Sequence, residues 1–307
     1  MRSFVGIEIG GTKLQLVVGD ERARILDRQR FPVERAEGAE GIRRKIREGL
    51  QRFRLHAVSA IGIGFGGPVD HSSGTILTSH QVQGWSDFPL QKWVEELTGI
   101  PTWIDNDANV AALGEACYGA GQSHSRIFYV TLGSGVGAGM VIDGSLYHST
   151  RYAEMEFGHV RLDKAGRTVE SSCSGWAVDE KVRNYVAEHP GTLLQELVAG
   201  VERGEAQVLG TALLRKDTAA REILEGTADD LALGLSHVVH LLNPEIIVLG
   251  GGLSLLGDPL RLAVADRLTR YLMHVVQPGP MIQISSLGED VVPVGALSLA
   301  ISKLLSA

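Results

Sequence analysis

Cysteine is almost missing from this chain. With only Cys117 and Cys173 in 307 residues, a disulfide framework and an all-cysteine metal site are both excluded, and the two thiols read as plain ones. No stretch reaches the roughly 20 uninterrupted apolar residues of a membrane span, and the N-terminus runs from Met1-Arg2-Ser3-Phe4 straight into a strand-like pattern without an apolar leader. The expectation is a cytoplasmic protein. A cationic excess is missing too. Against 36 Asp and Glu stand 29 Lys and Arg, a formal charge of −7, with no basic stripe to neutralise a nucleic-acid backbone, so nucleic acid is excluded as an expected partner.

Glycine is what the sequence has in excess. Its 38 glycines gather in clusters between strand-like runs, the pattern of backbone that approaches a ligand, not of a flexible linker. The length and the 44% apolar content are enough for a large core divided over two lobes.

Phe4 to Ile9 and Leu14 to Val18 read as a hairpin interrupted by Gly10-Gly11-Thr12-Lys13, with a third strand near Ile25 to Arg30 and a helix over Glu40 to Phe53. A buried strand from Ala60 to Gly64 ends in Phe65-Gly66-Gly67-Pro68-Val69-Asp70, a turn-rich segment that continues neither regular element. A helix over Leu90 to Thr98 and a strand over Thr102 to Ile104 lead to Asp105-Asn106-Asp107, where strand hands over to helix. From Ile127 the opening pattern recurs around Gly133 to Gly137, a weak internal repeat. Helices dominate Ser174 to Leu242, broken near Pro190 and Arg203. A strand over Glu245 to Leu249 then enters Gly250-Gly251-Gly252, followed by a helix, a strand over Met281 to Ser285 and a terminal helix over Val294 to Leu305. Mixed strands and helices in two similar halves imply an α/β protein.

Several backbone N–H groups converging in a tight turn bind phosphate oxygens, although each glycine cluster read singly is equally well a tight hairpin turn. No G-x-x-x-x-G-K-S/T motif occurs, and Gly133-x-Gly135-x-Gly137 is not a dinucleotide fingerprint. Both those motifs lead from strand into helix, whereas Gly10 to Lys13 leads into another strand.

A phosphate turn inside a hairpin, twice in one chain, resembles the actin, hexokinase and Hsp70 architecture. The ordered set Gly6-Ile-Glu-Ile-Gly-Gly-Thr-Lys13, Gly62-Ile-Gly-Phe-Gly-Gly-Pro-Val-Asp70, Asp105-Asn-Asp-Ala-Asn-Val-Ala-Ala-Leu-Gly-Glu115, Thr131-Leu-Gly-Ser-Gly-Val-Gly137, Glu156-Phe-Gly-His159 and Asn243-Pro-Glu-Ile-Ile-Val-Leu-Gly-Gly-Gly252 resembles the ROK family (repressors, open reading frames and kinases). The resemblance implies a two-lobed actin-like ATPase (ribonuclease H-like) α/β fold with a duplicated core and a cleft between lobes. Residues 1–118 would form the small lobe, 119–293 the large lobe, and 294–307 a helix returning to the small lobe.

The resemblance also implies roles. Gly10, Gly11, Thr12 and Lys13 form a first phosphate loop, Gly133, Ser134, Gly135 and Gly137 a second, and Gly250, Gly251 and Gly252 approach the adenosine of ATP. Lys13 either offers charge to the phosphates or is a solvated turn lysine. Glu8 stands where the family has Asp and helps hold Mg2+, often through water. Asp107 matches the general base that takes the proton of the attacking sugar hydroxyl, while Asp105, in place of a frequent Glu, or Asn106 equally caps the following helix. Gly67, Asn106, Asp107, Glu156, His159 and Glu170 line the sugar.

The family's zinc-binding cysteine segment is absent: only ten residues separate His159 from Glu170, none of them cysteine, so no structural zinc is expected. Phe65-Gly66-Gly67-Pro68 stands where a Pro-Gly pair is usual, and Ser149-Thr-Arg-Tyr-Ala-Glu154 lacks the family's glycines. The implied activity is ATP-dependent phosphorylation of a hexose hydroxyl, O6, with glucose first and fructose, mannose, allose or an N-acetylhexosamine also compatible. The alternative is a sugar-binding sensor of the same family, whose repressors carry a DNA-binding segment that has no room ahead of Phe4. A homodimer is the family's usual assembly.

Overall fold

The computed structural model describes residues 2–79, 81–150 and 154–306. Arg151, Tyr152 and Ala153, in the glycine-poor segment noted above, lie outside the described residues. In chain order the elements are β1 (Ser3–Ile9), β2 (Lys13–Gly19), β3 (Ile25–Pro32), α1 (Gly38–Arg52), β4 (Val58–Phe65), β5 (Val69–Asp70), β6 (Thr75–Ile76), α2 (Leu90–Thr98), β7 (Thr102–Asn106), α3 (Asp107–Tyr118), β8 (Arg126–Leu132), β9 (Val136–Ile142), β10 (Ser145–Leu146), α4 (Val169–Cys173), α5 (Gly175–Glu188), α6 (Leu193–Val198), α7 (Val208–Leu214), α8 (Thr218–Leu242), β11 (Ile246–Gly250), α9 (Asp258–Tyr271), β12 (Met281–Ile284) and α10 (Val291–Ser306). No helix among the described residues is long and apolar enough to cross a membrane.

The chain forms two compact units. The first comprises Met1–Ser123, Gly139–Glu154 and Glu289–Ala307, the second His124–Ala138 and Met155–Gly288.

In the first unit a five-stranded sheet runs in the order β3-β2-β1-β4-β7. The segment from Phe65 to Asp70, expected to continue neither regular element, is strand at both ends: Phe65 closes β4, and Val69 and Asp70 pair antiparallel with Ile76 and Thr75 of β6. β1 pairs antiparallel with β2 in the register Glu8↔Gln15 and parallel with β4. The pleat sends alternate residues to opposite faces. On one face Val5, Ile7 and Ile9 of β1 join Ile61, Ile63 and Phe65 of β4, packed with Ile42, Ile46 and Leu50 of α1 and Leu90 and Val94 of α2. The other face of the same strands carries Gly6, Gly62 and Gly64, and helices α3 and α10 lie directly on them. A Cβ at Gly62 would stand 1.9 Å from the Ala296 carbonyl oxygen, and one at Gly64 2.6 Å from Val110. Helix α10 meets α3 as closely, since a Cβ at Gly295 would fall 1.8 Å from the Val110 carbonyl oxygen.

In the second unit β11 runs parallel to both β8 and β12. The 25-residue α8 packs through Gly234, where a Cβ would meet Val169 at 2.6 Å and Phe157 at 3.2 Å.

Backbone oxygens cannot move aside as a flexible side chain does. Gly62→Ala and Gly295→Ala should each destabilise the protein by about 3 kcal/mol or more, read as a lower urea midpoint. Gly226, in α8 with open space around its Cβ position, supplies the contrast: Gly226→Ala should raise stability by about 0.5–1 kcal/mol.

Candidate active site

β1 and β2 carry the first glycine turn between them, closed by Gly10 N–H donating to the Lys13 carbonyl at 3.0 Å. Glu8 is buried on the glycine face, directly opposite Gln15 in the hairpin register. Gln15 Nε2 donates to Glu8 Oε2 at 2.7 Å, and Lys13 Nζ lies 3.3 Å from Oε1. Burial pushes the Glu8 carboxyl above the usual range even though Lys13 and the Gln15 hydrogen bond oppose it. Lys13 is half-exposed and pairs with Glu8. Gln15 had no signal in composition. Counting outward from the turn along the hairpin would have placed it opposite Glu8.

The end of β4 sits against that turn. Gly66 N–H donates to the Ile9 carbonyl at 2.8 Å. A Cβ at Gly66 would lie 3.2 Å from Asp107 Oδ2, 3.3 Å from the Ile9 oxygen and 3.6 Å from Gly10 Cα, so the glycine turn and Asp107 flank one bare backbone position. Asp107 is the first residue of α3 and is half-buried. The choice between Asp105 and Asn106 as helix cap is resolved for Asn106, whose Oδ1 accepts from Ala108 N–H at 2.9 Å while its Nδ2 donates to the Gly67 carbonyl at 3.0 Å. Asp105 does something else. Its Oδ1 accepts from Asn106 N–H at 2.8 Å and from Asn109 Nδ2 at 2.9 Å, tying strand end to helix start.

The second unit assembles its own cluster. Gly133 N–H donates to the Gly135 carbonyl at 3.0 Å, and Gly175 N–H, at the start of α5, donates to the Gly133 carbonyl at 2.7 Å. Glu170 Oε2 accepts from Val136 N–H at 2.9 Å, and a Cβ at Gly135 would come within 2.5 Å of that oxygen. Gly251 has φ of +78°, and a Cβ there would fall 2.6 Å from Leu132 backbone, so the Gly250 to Gly252 turn lies against the strand that feeds the second glycine loop. Phe157 to His159 form a short 3-10 turn, with Glu156 and His159 exposed. Thus Gly67, Asn106 and Asp107 stand together in the first unit, and Glu156, His159 and Glu170 belong to the second.

The short loop between His159 and Glu170 has its own bracing. Arg161 and Thr168 form an antiparallel bridge, Asp163 accepts from the Gly166 and Arg167 amides and from Arg167 Nε, and Arg167 reaches Asp230 at 3.2 Å. Thr168 and Ser171 then form a reciprocal capping box on α4. Cys173 is buried, and burial pushes its thiol up to about 12, an inert group.

Residues 4–303 match the model of the ROK family. The chain belongs to the ROK family. It is 31% identical to a glucokinase of Halalkalibacterium halodurans over 96% of this chain and 93% of that protein. It is 23% identical to a xylose repressor of Caldicellulosiruptor bescii, across 99% of this chain and 79% of the repressor. Among solved structures it resembles a ROK family glucokinase from Streptomyces griseus in complex with glucose and AMPPNP, with a TM-score of 0.85 and 29% identity over 98% of this chain and 99% of the other. The fold of this ROK protein is therefore the mixed α/β, actin-like one expected from the glycine turns.

Glu170 holds a backbone amide in the second glycine loop whatever else it contacts. Glu170→Ala leaves the buried Val136 amide without its acceptor and should cost about 1–3 kcal/mol, seen as a drop in thermal midpoint. Glu170→Gln keeps an oxygen there and should retain most of it.

Proposed function

We propose that this protein is an ATP-dependent kinase that phosphorylates a hexose hydroxyl, O6, with glucose as first substrate and fructose, mannose, allose or an N-acetylhexosamine as compatible ones. The observation that carries the reading is the seat of Asp107, a half-buried carboxylate across a bare glycine from the first phosphate turn. A sugar hydroxyl is a weak nucleophile. Asp107 accepts its proton as the hydroxyl oxygen bonds to the γ-phosphorus, and the bond to the β,γ-bridging oxygen breaks to release ADP.

Gly10, Gly11, Thr12 and Lys13 in one unit, and Gly133, Ser134, Gly135 and Gly137 in the other, offer backbone N–H donors to the phosphates, and Gly250 to Gly252 receive the adenosine. Gly67, Asn106, Glu156, His159 and Glu170 orient the sugar. The Asn106 and Glu170 side chains are already committed in part to backbone groups, which presents their remaining polar atoms in fixed directions. Glu8 fits an outer role towards Mg2+, because this ion keeps several waters and is held mainly by substrate phosphates, so a single carboxylate whose partner lysine is half-exposed suffices. When bound, Mg2+ neutralises charge on the phosphates. A homodimer in the cytoplasm, without structural zinc, completes the proposal, on the strength of the family resemblance and of the cysteine-free loop between His159 and Glu170.

The repressor relative favours a second reading, a sugar sensor without turnover. ADP release from MgATP across a panel of hexoses and N-acetylhexosamines separates the two. Asp107→Asn should lower kcat about 10²- to 10⁴-fold with little change in sugar or nucleotide affinity, and near-normal turnover in that variant would sink the assignment. Metal analysis of the purified protein should find no stoichiometric zinc, and one zinc per chain would contradict the reading of the loop.

A further inference from the structure

Asp105 is buried one residue before the Asn106-Asp107 pair, and its second oxygen faces a histidine from a distant segment. His148 Nε2 lies 3.3 Å from Asp105 Oδ2, and His148 Nδ1 lies 2.8 Å from Glu154 Oε1. Both carboxylates are almost wholly buried, with 5% and 7% of their side-chain surface exposed. A neutral imidazole has one N–H and cannot donate to two carboxylates at once, whereas the imidazolium donates through both nitrogens. His71 stacks on His148 with ring centroids 3.6 Å apart and planes 15° apart.

Donor atoms of His71, His148 and Glu154 all lie within 4.8 Å of one another, near enough for one cation. The stacking argues against it. Imidazole lone pairs lie in the ring plane, so a cation in line with one of two nearly parallel stacked rings is out of line with the other. Two stacked imidazolium ions would repel, so the arrangement suits one charged ring and one neutral ring.

We propose that protonated His148 is a positioning residue: by bridging Asp105 and Glu154 it fixes the β7–α3 turn that presents Asn106 and Asp107, and thereby makes turnover depend on the charge of His148. The proposal rests on the kinase reading above for its effect on turnover, but not for the bridge itself. The groups facing His148 are Asp105 from β7, Glu154 from its own segment and His71 from the segment after β5, with Asp70 beside His71. Burial would lower the His148 pKa, but the hydrogen bonds and attraction of Asp105 and Glu154 outweigh it and hold it above the usual histidine value. Burial, then the His148 charge, lower that of His71. The sign follows: with its folded pKa raised, His148 contributes the bridge fully below the ordinary value of about 6.5 and loses it as pH rises through the raised value.

Two measurements on the full chain test this. Histidine side-chain NMR across pH should show His148 titrating above the ordinary value, and Asp105→Asn and Glu154→Gln should each bring it down. Titration at or below the ordinary value, unmoved by either substitution, overturns the bridge whether or not the protein turns over. In steady-state kinetics wild-type kcat should fall as pH rises through the His148 pKa. His148→Gln should lower kcat roughly ten- to a hundredfold, leave KM for ATP unchanged and abolish that alkaline fall. Wild-type kcat and pH profile in His148→Gln overturn the positioning role. Absence of sugar-dependent turnover in the wild type counts against the kinase reading instead, with the NMR titration still deciding the bridge. Stoichiometric zinc binding lost in both His71→Ala and His148→Gln would replace the bridge with a metal site and overturn the proposal.

Discussion

Bare backbone at Gly6, Gly62 and Gly64, on one face of β1 and β4, is the constraint on which the first unit depends. Gly6, Gly62 and Gly64 let α3 and α10 rest on strand backbone, and Gly295 lets the two helices touch each other backbone to backbone. Close contact of this kind leaves no slack, because carbonyl oxygens and helix turns meet at distances where a single Cβ does not fit. The strand ends and helix starts that hold the candidate site inherit that rigidity. Gly66 extends the pattern beyond the strand, with Asp107 and Gly10 each within 4 Å of the place its Cβ would take.

The carboxylates Glu8 and Asp105 of this glycine-rich region are both held by partners. Glu8 is the carboxylate on the glycine face and is held by Gln15 and Lys13. Asp105 binds a backbone amide and Asn109, Asn106 caps α3, and Glu170 does the equivalent in the second unit by accepting from Val136. A buried carboxylate without such partners would be costly, so each fixes the backbone around it. Exposed Glu156 and His159 stand outside these networks, which suits residues that would meet a variable ligand. The loop before Glu170 is braced by an ion pair and a capping box, devices that need only side chains of ordinary type.

Much of the fold was legible in the amino-acid order. The hairpin around Gly10, the strand from Ala60, the helix over Leu90 to Thr98 and the terminal helix all form where periodicity placed them, because apolar spacing and glycine punctuation act locally. Boundaries moved where tertiary hydrogen bonds extended an element: β7 runs on through Asp105 and Asn106, which pair in register with Gly64 and Phe65 of β4.

The candidate site divides along the same line. Glycine turns and the Asp105-Asn106-Asp107 motif were determined by the sequence alone, since their conformations depend on local backbone freedom and helix capping. The choice of Asn106 over Asp105 as cap, the engagement of Glu170 with Val136, the pairing of Lys13 with Glu8 and the meeting of His148 with Asp105 and Glu154 were decided only by the tertiary structure. Such pairings depend on which segments packing brings within hydrogen-bond distance, and on the burial that turns an ordinary histidine or carboxylate into one that must find a partner.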